Sequence, residues 1–159
     1  MYFKAYWISL LSLLAFCCIA LPNLSAQGFS EDDEMYYWRI LSKVKSKSTF
    51  DPQSNSVFYK PIFHKSVEAL EGKTIILRGY VIPADMAKGR LTLSAYPFSS
   101  CFFCGQAGPE SVIELEAKIP IIYRMDRPVT IQGTLKLNRG DDPFRLIYIL
   151  ENAQHYDGD

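Results

Sequence analysis

The chain has 159 residues, with 17 basic and 17 acidic side chains and 14% aromatic residues. Balanced charge excludes the basic surface that a phosphate-backbone partner needs, so no nucleic-acid partner is expected. The length fits one ordinary domain, large enough to bury a core without staples.

The N-terminus reads as a secretory signal peptide. Lys4 supplies the positive start, residues 5–20 are nearly all apolar, and Leu21-Pro22-Asn23-Leu24-Ser25-Ala26 is a small-residue exit. Cleavage between Ala26 and Gln27 is expected, and with it a periplasmic or secreted location. The apolar run falls short of the roughly 20 residues that a membrane span needs. Cys17 and Cys18 lie in this run. Phe16 stands directly before them, where a lipid-attachment site takes a small residue, so no lipid anchor is expected. The expected domains are a signal peptide (1–26), an N-terminal helix with a linker (27–60) and a β-barrel (61–159).

Ser30-Glu31-Asp32-Asp33 opens a helical pattern with acids in its first turn. Met35, Trp38, Ile40, Leu41 and Val44 give it one apolar face, and Lys43, Lys45 and Lys47 are placed at its C-terminal end, where the dipole favours cations. A polar connection follows over 49–56. Residues 57–59 read as a short extended piece, and 66–71 as one or two helical turns ended by Gly72.

From Lys73 the period changes to two. Strands are expected over 74–82, 90–96, 112–116, 129–137 and 144–150, the last buried on both faces. In the third of these, Ile113 and Leu115 face inward and the glutamates outward. Turns are expected over 85–89, 119–126 and 138–143. Gly79 and Gly133 stand mid-strand, which signals bulges or sharp bends. The expected fold is mainly β: a small five-stranded OB-like barrel with an N-terminal α-helix. A six-stranded barrel that recruits 57–59, or a small sandwich, is the alternative.

Cys101-Phe102-Phe103-Cys104-Gly105 carries the most chemistry. Gly105 permits a left-handed turn after the second cysteine, the shape of a metal-binding knuckle whose amides face the sulfurs. Gly108 and Pro109 shape the rest of the loop. Four readings stay open. Cys101 and Cys104 are half of a zinc site, with copper as the second choice, completed by Glu110, His64 or His155. They form a disulfide suited to an oxidising compartment. They act in thiol exchange, although no helix follows them. Or they are two plain thiols. Attached haem is disfavoured, because Gly105 stands where CxxCH requires histidine.

The stretches 99–105 and 107–112, with Gly133-Thr134-Leu135-Lys136-Leu137-Asn138 and Tyr148-Ile149-Leu150-Glu151-Asn152-Ala153, resemble the signature of a bacterial exported family labelled only as a domain of unknown function. The resemblance covers about 73–156. It implies a small exported barrel, periplasmic or lipoprotein-like. Other branches of that family place a cysteine at the position of Cys101 and a histidine at that of Phe103. A Cys/His pair in one branch and Cys/Cys here implies an exchangeable metal ligand rather than a disulfide.

Arg139-Gly140-Asp141 sits between strands and reads as turn chemistry, not as an adhesion motif. No paired carboxylates at enzyme-like positions, GxSxG serine or phosphate loop is present, so no enzyme is expected. Arg78, Tyr80, Lys136, Arg145 and Tyr148 are candidates for a binding face of the barrel, with a saccharide, peptide or protein favoured. The expected role is an exported, non-enzymatic, metal-handling protein, accessory to an envelope membrane protein or transporter. The alternatives are an interaction module with a Cys101–Cys104 disulfide, and a thiol-disulfide oxidoreductase.

Overall fold

The computed structural model describes residues 31–52, 55–85 and 90–158. The expected signal peptide, its Ala26/Gln27 cut and Cys17/Cys18 lie outside the described residues, as do 86–89 of the first expected turn.

Helix α1 spans Glu31–Leu41. It is followed by an antiparallel hairpin of β1, Val44–Asp51, and β2, Ser56–Phe63, and by one short helix, α2, Lys65–Glu68. Five strands then form a closed barrel: β3, Thr74–Asp85; β4, Arg90–Ser94; β5, Val112–Ala117; β6, Val129–Leu137; and β7, Tyr148–His155. The order around the barrel is β3-β4-β5-β7-β6, closing back on β3. Only β5 and β7 run parallel. This is the expected five-stranded OB-like barrel, and residues 57–59 pair with β1 rather than entering it.

Strand β3 serves two neighbours. Thr74 to Gly79 pair with β6, and Tyr80 onward pairs with β4. The hand-over falls at Gly79, where a Cβ would strike the Ser94 carbonyl. The other mid-strand glycine, Gly133, lies where the β6–β7 register shifts between Gln132 and Thr134. Both glycines thus mark bends, as strand interiors with glycine usually do.

Ile75, Leu77, Val81, Leu93, Ile113, Leu115, Ile131, Leu135 and Leu150 fill the barrel. Trp38 and Leu41 of α1 join the same core. The indole Nε1 of Trp38 donates to the Arg78 carbonyl at 2.8 Å, which fixes α1 against β3.

The structure departs from the sequence pattern at four places. The helix stops at Leu41, and of the three lysines only Lys43 stays at its end, its amide donating to the Ile40 carbonyl at 3.0 Å; Lys45 and Lys47 lie on β1, paired with Ile62 and Lys60. Val44 fits the helical spacing, but Phe63 claims it as a cross-strand partner. The last strand begins at Tyr148, four residues later than the apolar run suggests. Asn138 explains the delay. Its amide donates to the carbonyls of Asp142, Arg145 and Leu146, and its Oδ1 accepts from the amides of Gly140 and Asp142. One buried side chain thus supplies several of the backbone hydrogen bonds that strand pairing would otherwise give this segment. Finally, Glu114 does not face open water: it is only 5% exposed.

Candidate functional site

The link between β4 and β5 is a chain of tight turns. 3₁₀ turns cover Phe98–Ser100, Phe102–Cys104 and Pro109–Ser111. Cys101 separates the first two in extended backbone and is fully buried. Cys104 ends the second and is exposed. Gly105 follows in the left-handed region, at φ +73°, a conformation costly for any residue with a Cβ. Pro109 opens the third turn, and the Gly108 carbonyl closes it by accepting from Ser111 N at 3.0 Å and Ser111 Oγ at 2.7 Å.

These turns bring the two sulfurs to 3.9 Å as free thiols. The expected amide-to-sulfur contacts are replaced by turn bonds. Cys104 N donates to the Cys101 carbonyl at 3.1 Å, and Gly105 N to that of Phe102 at 2.9 Å. The Cys104 thiol donates to the Phe98 carbonyl at 2.9 Å. Desolvation, then the neighbouring Cys101, pushes the Cys104 thiol above its ordinary pKa. A thiol-exchange nucleophile needs the opposite shift.

The other sequence candidates lie apart. His64 caps α2: its Nδ1 accepts from Ser66 N at 3.1 Å and bonds Ser66 Oγ at 2.9 Å. His155 ends β7 and lines a cavity of about 330 Å³ with Gln132, Gln154 and Asp157; its Nε2 is buried and finds no hydrogen-bond partner among the described residues. Glu110 lies against α1, in a cavity it shares with Trp38 and Ser42. Among the described residues no three His, Cys, Asp or Glu side chains are grouped to hold a metal ion. Cys101 and Cys104 are the only sequence-proposed ligands that the fold brings together.

The proposed binding face is also dispersed. Tyr148 is buried inside the barrel, Lys136 pairs with Glu151 at 3.0 Å, and Arg145 is engaged by Glu114 and Glu116 at 2.9 and 2.6 Å. Sequence reasoning missed the cluster around Glu114, whose partner Arg145 is 31 residues away. The available signal was an arginine placed in an otherwise apolar run before the last strand.

Comparison with protein families, curated proteins and solved structures gives no match to this chain.

Proposed function

We propose that the chain is an exported, non-enzymatic binding protein that handles a thiophilic metal cation through Cys101 and Cys104. The observation that carries this reading is the 3.9 Å separation of the two sulfurs around the Gly105 turn. Two thiolates, each about 2.3 Å from a tetrahedral zinc ion, stand about 3.8 Å apart. The loop therefore needs almost no rearrangement to grip an ion.

Two sulfurs do not saturate zinc, which in structural sites takes four ligands. A site with open positions suits transient holding and transfer, the further ligands coming from a small molecule or from the donor and acceptor proteins. Copper(I), also selected by soft thiolates, fits the same pair. The signal-peptide pattern and the resemblance to an exported family support an envelope role, with a membrane transporter as the natural exchange partner.

The same proximity favours one second reading, a Cys101–Cys104 disulfide in an oxidising compartment. Metal analysis of protein purified under reducing, chelator-free conditions tests the first reading, with Cys101→Ser/Cys104→Ser as the control. Stoichiometric metal is expected in the native chain and none in the variant. A native mass two hydrogens lighter without reductant, with no metal uptake after reduction, replaces it with the disulfide.

A further inference from the structure

We propose that the outer face of β4 and β5 carries a second binding site, fitted to an uncharged, hydroxyl-rich ring such as a sugar unit of an oligosaccharide. This goes beyond the metal reading and uses different atoms.

Two adjoining cavities, of about 240 and 470 Å³, share Arg90, Glu114 and Arg145. Glu114 is the unusual member. It is 95% buried on the outside of the barrel, where it adds nothing to core packing. Burying a carboxylate is costly unless it is paired and hydrogen-bonded. Here Arg145 Nε donates to Oε2 at 3.2 Å and Nη2 to Oε1 at 2.9 Å, while Arg90 Nε stands 3.7 Å from Oε1. Arg145 Nη2 also reaches Glu116 Oε1 at 2.6 Å. The result is a rigid floor of oriented donors and acceptors.

Two aromatic rings line the first cavity over that floor. Phe103 comes from between the two cysteines and is 45% exposed; Phe144 comes from the loop before β7 and is 81% exposed. The backbone of Phe144 is held on both sides: Arg90 Nη1 donates to its carbonyl at 3.1 Å, and its amide donates to Asp142 Oδ1 at 2.9 Å. A single exposed ring needs no explanation. Two rings lining one cavity over a buried charged floor make a convergent pocket of the kind that takes small molecules.

Charge selects the ligand. Glu114 and Glu116 are balanced by two guanidiniums, Arg145 against both and Arg90 against Glu114. A phosphate chain would meet Glu114, Glu116 and Asp142, and a cationic peptide would meet Arg90 and Arg145. An uncharged polyol breaks no ion pair. Its hydroxyls use the more open Glu116 carboxylate and Arg90 guanidinium, which the buried Glu114 and Arg145 hold in place, and its C–H face lies on the rings.

The test is amide-resolved NMR titration of the reduced protein with cellohexaose, maltohexaose and chitohexaose, beside oligothymidylate and a short polylysine peptide. At least one sugar should give saturable shifts at 90–92, 103 and 144–145. Phe144→Ala should weaken it about tenfold, the loss expected for one aromatic contact. Tyr59→Ala, an exposed ring on β2, should leave it unchanged. Saturable shifts from only the oligonucleotide or peptide, or none from any sugar at millimolar concentration, would overturn the proposal.

Discussion

The hydroxyl of Tyr148 donates to the carbonyl of Leu41 at 2.6 Å, joining the first residue of the last strand to the last residue of α1 across 107 positions. The contact satisfies a carbonyl that a helix end leaves without an intrahelical partner. The ring also packs on Phe63, with centroids 5.6 Å apart. Burial, chiefly, and the nearby Glu110 charge push the phenol well above its ordinary pKa, so it stays a neutral donor. Tyr148→Phe keeps the ring and strands a buried carbonyl. It should cost about 1–2 kcal/mol, seen as a lower urea midpoint with an unchanged m-value. An unchanged midpoint would mean that this latch contributes nothing.

Gly133 permits the approach of β7 at the barrel bend. A Cβ there would lie 2.7 Å from Leu150 Cγ and 2.8 Å from the Glu151 carbonyl. The second contact is backbone, which cannot swing aside. Gly133→Ala should therefore lose about 1–3 kcal/mol, read by thermal or urea unfolding. A neutral result would place the bend elsewhere.

Glu71 provides a pH-dependent tie between the segment after α2 and the loop before β7. Arg139 Nη1 and Nη2 donate to its two oxygens at 2.8 and 2.6 Å, and Leu137 N reaches Oε1 at 3.3 Å. The Arg139 hydrogen bonds, foremost, hold its carboxyl below the ordinary carboxylate range. A carboxylate depressed on folding stabilises the fold above its unfolded pKa, about 4.3, and that stability is lost as pH falls through the folded value. Glu71→Gln should thus be less stable at neutral pH, by under about 1 kcal/mol because the pair is partly exposed. The gap from the native protein should begin to narrow below about pH 4.3 and close as pH falls through the depressed folded value. A gap that persists in acid would assign the effect to packing.

Arg145→Met removes the main counter-charge of a buried carboxylate. It should destabilise by about 3 kcal/mol, the order found when one member of a buried pair is deleted. Adding Glu114→Leu should recover most of that loss, because the stranded charge disappears with it. If the double variant is as unstable as the single one, the ion pair is not the cause.

Much of the barrel was legible in the residues. The strict alternation of β6, with Ile131, Leu135 and Leu137 inward, survives as a strand of the expected length. Gly79 and Gly133 announced their bends because a side chain has no room there. The β1–β2 hairpin was not legible: its residues are largely exposed, so no apolar period marks it, and its pairing depends on contacts such as Val44 with Phe63. The Asn138 loop was hidden for a different reason. A side chain that ties Gly140, Asp142, Arg145 and Leu146 together through hydrogen bonds leaves no trace in hydropathy. At the candidate site, local spacing foretold the meeting of Cys101 and Cys104. It gave no information on His64, His155 or Glu110, whose positions depend on the fold.

The proposed metal role requires that the two sulfurs bind one ion together. X-ray absorption at the metal edge, on reduced protein loaded with one equivalent of zinc or copper(I), tests it most directly. Two sulfur neighbours are expected, at about 2.3 Å for zinc, both lost in Cys101→Ser/Cys104→Ser. A first shell of nitrogen and oxygen alone, or failure to retain either metal, would contradict it.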